Sequence, residues 1–320
     1  MDSRLLSSEE QALSRAMVQA HSERMGLPVK DAQPNMLHGT LESKAFAQAH
    51  PVYRAAKVAC LDMGFIEPDA ECVARAWQAQ FQRLDECDPN LWPNEPVDFG
   101  MHLDSANSHS PAFAPCPHKL GLYAVLPDAV WVARMAQAGV PTVQLRFKSE
   151  DAQAIQREVQ AAVKAVQGTG ALLFINDHWQ TALEAGAYGV HLGQEDMDTA
   201  PLEQLRASGI RLGLSSHGYA EMLRANAVRP SYLAMGAVFP TTLKRMATAP
   251  QGLGRLHAYA RLMRHYPLVA IGGIGAPQFA EVLETGVGSI AVVRALVATD
   301  LATDQPEVQA QRLIKLMAQR

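Results

Sequence analysis

The sequence predicts an α/β protein: a (β/α)8 TIM barrel preceded by a smaller, mostly helical N-terminal segment. Two observations predict the barrel. Eight short apolar runs follow Leu120, and amphipathic stretches such as WVARMAQAG and QREVQAAVKAVQ separate them. Strands that alternate with helices pair in parallel, because parallel neighbours need a crossover connection. Eight such units of about 25 residues each are typical of a closed barrel.

The apolar runs are the predicted strands. An open, doubly wound sheet is the alternative arrangement, but it usually carries a GxGxxG motif after its first strand. The segment GLYAVLPDAV has no such motif, which favours the barrel. The predicted strands are GLYAVL (121–126), TVQLRFK (142–148), ALLFIND (171–177), GVHLGQ (189–194), RLGLSSH (211–217), SYLAMG (231–236), PLVAIGGI (267–274) and SIAVVRAL (289–296).

The part before the barrel differs in pattern. Residues 1–87 are predicted to be helical, because SSEEQALSRAMVQAHSERM and PDAECVARAWQAQFQRL each have capping residues and apolar side chains at helical spacing. Six prolines then fall within residues 88–118, which predicts a linker or an extended surface segment. The predicted domains are therefore 1–87, the linker 88–118, and the barrel 119–320.

Composition limits the classes of partner. The 320 residues are 48% hydrophobic and 19% charged, with a net charge of −4. That balance, without a run of five like charges, argues against nucleic acid or an anionic membrane as the main partner. MDSRLLSSEEQ has no apolar signal-peptide core, so we expect a cytoplasmic protein. The cysteines show no CxxC spacing and are expected to be ordinary thiols: Cys60, Cys72, Cys87 and Cys116.

Two acids follow successive predicted strands. In a barrel the functional site forms at the C-terminal ends of the strands. Asp177 and Asp196 follow strands three and four, which lie about 4.8 Å apart in a sheet. The two carboxylates could therefore share one Mg²⁺, a hard ion that prefers oxygen ligands. The alternative is that Asp177 caps the next helix, and that Asp198 caps the one after, leaving Asp196 as a loop acid.

Basic and glycine-rich residues follow other strands. Gln144, Arg146 and Lys148 alternate along strand two, so all three would point to one face and need polar partners such as a phosphate. A solvated lysine is the ordinary alternative for Lys148 and for Lys244. The glycines of AIGGIGAP (270–277) could bring backbone N–H groups to a phosphate, or simply allow a tight turn. His191 lies inside a strand and is expected to be buried and hydrogen-bonded, whereas His217 leaves both structural and functional interpretations open.

Six motifs in this order resemble the thiamine phosphate synthase family over residues 119–320. They are QLRFK, FINDHWQTALEAGAYGVHLGQED, LGLSSH, VFPTTLK, AIGGI and GVGSIAVV. The resemblance implies an Mg²⁺-dependent enzyme that joins hydroxymethylpyrimidine diphosphate to a thiazole phosphate. Its partners would be these small phosphorylated substrates, and a homo-oligomer is compatible with the sequence.

The resemblance also implies residue roles. Asp177 and Asp196 would bind Mg²⁺, and Lys148, Lys244 and Ser215 would have catalytic roles. The pyrimidine diphosphate would be bound by Gln144, Leu145, Arg146, Phe147, Lys148, Asn176, Ser215 and Lys244. The thiazole phosphate would be held by Thr241, Thr242, Leu243, Gly273, Val293 and Arg294. Two positions depart from the family, since Leu243 stands where a threonine is frequent and Arg294 where a serine is common.

Other relationships are weaker. LHGTLESKAFAQA resembles the tail of hydroxymethylpyrimidine phosphate kinase, but Leu41 replaces the Gly-Cys turn expected after HGT. The first 118 residues are therefore expected to be a degenerate remnant or an added helical domain. A thiazole tautomerase-like enzyme and a non-catalytic, precursor-binding regulator are the alternative functions. The loop 237–253 is long enough to close over a site.

Overall fold

The computed structural model describes residues 6–27, 43–101, 111–241, 248–297 and 305–318. Eight parallel strands close into a barrel in the order β1 to β8, and each strand pairs with its sequence neighbours. The predicted barrel is thus confirmed. The strands are Gly121–Leu126 (β1), Thr142–Leu145 (β2), Leu172–Asn176 (β3), Gly189–Leu192 (β4), Arg211–Ser216 (β5), Tyr232–Met235 (β6), Leu268–Ala270 (β7) and Ser289–Val292 (β8).

Several predicted strands were too long at their C-terminal ends. β2 ends at Leu145, so Arg146 to Lys148 are not part of the strand that was predicted to reach residue 148. β8 ends at Val292, and the predicted run continues into a helix that begins at Arg294. The alternating sequence pattern continues past the last residue that each strand contains. These extra residues form the mouth of the barrel.

Helices surround the barrel. In the described part of the chain, each strand is followed by at least one α-helix before the next strand or the C-terminal segment. Two of them begin with a capping carboxylate among the described residues: Asp128 accepts a hydrogen bond from Trp131 N–H and Asp151 accepts one from Gln153 N–H, both at 2.9 Å. The helices are Ala129–Gln137 (α5), Ala152–Val166 (α6), Trp179–Glu184 (α7), Leu202–Ala207 (α8), Tyr219–Val228 (α9), Gly252–Leu262 (α10), Phe279–Glu284 (α11), Arg294–Val297 (α12) and Pro306–Ala318 (α13).

Aromatic side chains fill the barrel interior. Tyr123, Phe174 and Tyr232 are buried together, with ring centroids 5.0 to 6.0 Å apart. Two glycines make room for them. A Cβ at Gly213 would lie 2.1 Å from the Tyr232 ring, and one at Gly189 would lie 2.3 Å from Phe174. The interior below the mouth is therefore closed by packed side chains.

Four helices precede the barrel in the described residues: Ser8–Met25 (α1), Lys44–Gln48 (α2), Pro51–Asp62 (α3) and Glu67–Leu84 (α4). The two predicted helices correspond to α1 and α4. Ser7 and Glu10 form a capping box at the start of α1. A 3-10 helix, Pro96–Phe99, follows. We refer to the described residues up to 101, which comprise α1–α4, this turn and their connections, as the N-terminal helical unit. No helix among the described residues is long and apolar enough to cross a membrane.

Candidate active site

The two predicted metal-binding acids lie at the mouth of the barrel on adjacent units. Asp177 directly follows β3, and its N–H donates to His191 O of β4 at 3.0 Å. Asp196 begins a 3-10 turn after β4, and its Oδ2 accepts a hydrogen bond from Gly193 N–H at 2.8 Å. The β3–β4 pairing therefore brings the two acids, 19 positions apart in the chain, to the same edge.

Neither Asp177 nor Asp198 caps a helix, so the helix-capping alternative is wrong. The N-cap of α7 is His178, which makes no side-chain cap, and Asp177 precedes it with a left-handed backbone at φ 63°. The N-cap of α8 is Pro201, and Asp198 is instead ion-paired with Arg224. A non-glycine residue in the left-handed region is uncommon and concentrates at functional sites. The backbone of Asp177 thus aims its carboxylate into the mouth at some conformational cost.

Charges of both signs meet around Asp177. Desolvation raises the pKa of its carboxyl, although the residue keeps much of its surface exposed, and the negative charge of Asp196 raises it further. Arg146, His178 and Lys148 act in the opposite direction. A cleft of about 440 Å³ beside them is lined by Phe147, Lys148, Ser149, Glu150, Asp177 and His178. The mouth thus brings together two mutually repelling acids and two cations beside an open cleft.

The acid pair fits a divalent cation. Mg²⁺ takes oxygen ligands and usually keeps several waters and substrate phosphate oxygens, so two carboxylates are a sufficient protein contribution. A bound cation would also remove the repulsion between Asp177 and Asp196. Within the described residues, no group of three or more His, Cys, Asp or Glu side chains is arranged to hold a metal. The four cysteines are free thiols.

A chain of hydrogen bonds crosses the barrel beneath the mouth. His191, 8% exposed, lies 2.8 Å from Ser215 Oγ through Nε2 and 2.7 Å from Tyr232 Oη through Nδ1. Tyr232 Oη lies 2.7 Å from Tyr123 Oη, which accepts a hydrogen bond from Gln144 Nε2 at 3.2 Å. The expectation of a buried, hydrogen-bonded His191 is confirmed. This hydrogen-bond chain fixes the side chains of two predicted site residues, Gln144 and Ser215, which lie on opposite sides of the barrel.

Gln194 is a site residue that the sequence analysis did not assign. Its Nε2 donates to Ser215 O at 2.7 Å, while its buried Oε1 has no hydrogen-bond partner among the described residues. Buried acceptors are normally paired, so this oxygen is suited to a donor on a bound ligand. Its position two residues before Asp196, at the end of the predicted strand, was the available signal.

The other pyrimidine-site residues lie around β2 and β3. Arg146 is half-buried, and its N–H continues the ladder by donating to Leu126 O at 2.8 Å. Phe147 O lies 3.0 Å from His178 Nε2, so the segment after β2 is tied to the segment after β3. Asn176 is the last residue of β3 and is buried. Leu145 packs between strands and helices, so only its backbone can face the mouth.

Two of the predicted thiazole-phosphate residues, Thr242 and Leu243, lie outside the described residues, as does Lys244 of the predicted pyrimidine diphosphate site. Gly273, at φ 67°, packs so closely on the segment after β6 that a Cβ would lie 2.6 Å from Pro240 O. This approach requires glycine whether or not a phosphate binds there. Thr241 ends the described part of that segment. Val293 and the exposed Arg294 lie where β8 leads into α12.

His217, which the sequence left undecided, has a structural partner. Its Nδ1 lies 2.6 Å from Glu221 Oε2, and its N–H donates to the same oxygen at 2.8 Å. This contact links the end of β5 to the first turn of α9. The contact therefore favours the structural interpretation of His217, in which it holds the backbone that follows Ser215.

Comparison with known proteins agrees with this geometry. Residues 123–296 match the family model described as thiamine monophosphate synthase. The thiamine-phosphate synthase of Neisseria meningitidis serogroup A is 54% identical over 198 residues, covering 62% of this chain and 96% of that protein. The thiamine-phosphate synthase of Cronobacter sakazakii is 49% identical over 209 residues, covering 65% and 97%.

A solved structure is similar over the same extent. Thiamine phosphate pyrophosphorylase from Pyrococcus furiosus is 29% identical, with a TM-score of 0.55, and the match covers 63% of this chain and 96% of that one. The family model begins at residue 123, so the N-terminal helical unit lies outside it.

Proposed function

The chain belongs to the thiamine monophosphate synthase family and forms thiamine phosphate, and we propose that it does so by joining 4-amino-2-methyl-5-(diphosphooxymethyl)pyrimidine to 4-methyl-5-(2-phosphoethyl)thiazole. The reaction would be Mg²⁺-dependent and would release diphosphate. The observation that carries this proposal is the meeting of Asp177 and Asp196 with Arg146 and Lys148 at one side of the mouth. The acids suit a hard cation and the bases suit phosphate oxygens.

The bond changes need little acid–base chemistry. The C–O bond between the pyrimidine methylene and the diphosphate breaks, and the electron pair leaves with the diphosphate. The electron-rich aminopyrimidine stabilises the resulting cation. The thiazole nitrogen then forms the new C–N bond with its own lone pair and becomes the thiazolium nitrogen. Because that lone pair is already available, no general base is required for bond formation.

The residues at the mouth are assigned by this chemistry. Lys148 and Arg146 would neutralise the departing diphosphate, and Lys244 is assigned the same role from the sequence. Asp177 and Asp196 would hold Mg²⁺, which when bound supplies further positive charge to the diphosphate oxygens. Fixed charges that act on a developing anion usually provide the largest catalytic contribution.

The pyrimidine is assigned to the side of the mouth formed by β2, β3 and β5. Ser215 is oriented by His191 and Gln194, and Gln144 by Tyr123. Leu145, Phe147 and Asn176 complete that side. The thiazole phosphate is assigned to the opposite side through Thr241, Thr242, Leu243, Gly273, Val293 and Arg294.

Substitution of Lys148 tests the charge assignment. We expect Lys148→Met to lower kcat by on the order of 10²–10³, the range found when one donor to a developing anion is removed. Lys164→Met is the matched control, because Lys164 is an exposed lysine of α6 that lies outside the cleft. Thiamine phosphate formation is measured by chromatography. Equal kcat for the two variants would contradict the assignment of Lys148.

A further inference from the structure

The helix that follows Ser215 is capped by a residue from the N-terminal helical unit. Gly218 is the N-cap of α9 and has no side chain with which to cap it. Asp69 of α4 supplies the missing acceptor: its Oδ1 accepts a hydrogen bond from Ala220 N–H at 2.9 Å. A Cβ at Gly218 would lie 2.0 Å from Asp69 Oδ2, so the carboxylate occupies the space that glycine leaves. Asp69 is 3% exposed.

The capped helix α9 in turn holds the active-site backbone. Glu221, in its first turn, accepts the hydrogen bond from His217 N–H, two residues after Ser215. Arg224, one turn later, donates to Gln194 O at 3.0 Å and is paired with Asp198. The first two turns of α9 therefore position the segments after β5 and β4. Ser215 is the penultimate residue of β5, directly before the first of these segments, and Gln194 and Asp196 lie in the second.

A second contact reaches the end of β6. Arg255 of α10 is 2% exposed and donates to Met25 O at 2.8 Å and to Met63 O at 2.9 Å, at the C-terminal ends of α1 and α3. Its Nη1 also lies 3.3 Å from Gln251 Oε1. Gln251 N–H donates to Ala237 O at 2.8 Å, two residues after the end of β6. The same guanidinium thus joins the helical unit to the segment that leads to Thr241.

The two contacts belong to one interface. Asp69 and Arg255 attract each other electrostatically inside it. Trp92 Nε1 donates to Tyr219 Oη at 2.9 Å, and Phe99 stacks on the Tyr219 ring at a centroid distance of 5.3 Å. Tyr219 is the first residue of α9, so the helical unit surrounds the start of that helix on several sides.

We propose that the N-terminal helical unit is a positioning element of the active site, with Asp69 of the unit and Arg255 of α10, which binds the unit, as the positioning residues. Asp69 acts on Ser215 and Gln194 through α9, and Arg255 acts on the segment after β6 through Gln251. The inference rests on the site assigned under the proposed function. It gives the N-terminal helical unit, which precedes the family match, an indirect part in catalysis through the barrel residues that it holds.

Paired substitutions of Asp69 in the full-length protein test the inference. Asp69→Leu removes the acceptor, and we expect kcat/KM for the pyrimidine diphosphate to fall by on the order of 10- to 100-fold, since small misplacements of catalytic groups have effects of that size. Asp69→Asn keeps an acceptor and is expected to restore at least half of the wild-type value. Circular dichroism and thermal melting establish that each variant is folded at the assay temperature.

Glu10→Leu is the matched control. Glu10 is a carboxylate of similar burial, 4% exposed, whose described partners Ser7 and Arg54 both precede the barrel. It should lower the melting temperature without changing kcat or KM. If Asp69→Leu is not recovered folded, Tyr219→Phe replaces it, because that variant removes only the hydroxyl that accepts the hydrogen bond from Trp92 Nε1. We expect a loss of at least twofold in kcat/KM for Tyr219→Phe.

The outcomes separate this inference from the proposed function. Wild-type kinetics in a folded Asp69→Leu variant would overturn the inference while leaving the synthase intact. The same holds if Glu10→Leu lowers kcat/KM as much as Asp69→Leu does, since the effect would then be general destabilisation. Absence of product from the wild-type protein would instead refute the proposed reaction. Ser215→Ala, measured in parallel, shows whether the residue that Asp69 is inferred to position matters for the pyrimidine substrate.

Discussion

His191 Nε2 lies 2.8 Å from Ser215 Oγ, and this contact joins a predicted active-site residue to a buried hydrogen-bond chain across the barrel. The chain continues through Tyr232 and Tyr123 to Gln144. Burial raises the pKa of both tyrosine hydroxyls, so they remain protonated and act as hydrogen-bonding groups. The orientation of Ser215 therefore depends on side chains that no substrate would touch.

Removal of the Tyr232 hydroxyl should reduce activity. Tyr232→Phe leaves His191 Nδ1 without its partner, and we expect a cost of about 1–3 kcal/mol in stability and a fall in kcat/KM on the order of tenfold. Tyr266→Phe is the control, because it removes a hydroxyl bonded to Asn226 at 3.0 Å, away from the site. It should lose stability without losing activity. Steady-state kinetics measures the activity of each variant, and chemical denaturation measures its stability. Equal kinetics for the two variants would show that the hydrogen-bond chain has no part in catalysis.

Replacement of Asp177 should separate stability from metal binding. Asp177→Asn removes the charge that repels Asp196 and keeps a side chain that tolerates a left-handed backbone. The metal-free variant should therefore melt at or above the wild-type temperature. Mg²⁺ at 100 times its Kd should stabilise the wild type by about 2.7 kcal/mol and the variant by much less. Calorimetry with and without Mg²⁺ measures both effects.

Asp198→Asn is the control for that experiment. Asp198 is an exposed acid two residues from Asp196 and is already paired with Arg224. Mg²⁺ should stabilise this variant as it does the wild type. An undiminished Mg²⁺ effect in Asp177→Asn would show that the ion binds elsewhere. Asp177→Ala should likewise abolish Mg²⁺-dependent turnover while the fold remains intact.

The buried Asp69 predicts a pH dependence of stability. Burial raises its pKa to about 6, while the N–H of Ala220 and the charge of Arg255 lower it and Glu221 raises it. Its folded-state pKa exceeds the unfolded value, so the protonated form favours folding. This contribution is complete below the unfolded pKa and is lost as pH rises through about 6.

Comparison of the wild type with Asp69→Asn isolates this contribution. The stability of the variant relative to the wild type should rise between pH 4 and 6 by at most about 3 kcal/mol and then level off. Urea unfolding at several pH values measures the difference. A constant difference over this range would show that the Asp69 pKa is not raised by folding.

Gly254→Ala tests how tightly the helical unit lies against α10. Alanine is usually more stable than glycine within a helix by about 1 kcal/mol. Here, however, a Cβ at Gly254 would lie 1.8 Å from Arg24 O. We expect the clash to dominate, so the variant should be destabilised and more readily cleaved by protease between the helical unit and the barrel. An increase in melting temperature would contradict this close contact.

The barrel was predictable because its signal is local. Each strand shows as a short apolar run, and Asp177 and Asp196 stand where such runs end. The ends themselves were overpredicted, since Arg146 to Lys148 continue the alternation although β2 ends at Leu145. The alternation of residue types along one strand does not show where the neighbouring strand stops pairing with it.

The support of the site was not predictable, because it depends on contacts between distant residues. Asp69 and Ala220 are 151 positions apart. Asp69 lies in the first turn of α4, where acids are common, so nothing in the sequence near it indicates that it caps a second helix. Gln194 stood at a predicted strand end, but only the neighbouring β5 shows that its Nε2 is bonded while its Oε1 has no partner among the described residues. The assignments to the thiazole phosphate remain predictions, with Thr242 and Leu243 outside the described residues. Lys244 of the predicted pyrimidine diphosphate site also lies outside them.

The most direct test of the account is the reaction itself. Purified full-length protein is mixed with the two substrates, and thiamine phosphate and diphosphate are quantified with Mg²⁺ and with EDTA. We predict equal amounts of both products with Mg²⁺ and little of either with EDTA. Undiminished product formation in EDTA would contradict the metal role of Asp177 and Asp196, and absence of product with Mg²⁺ would contradict the proposed condensation.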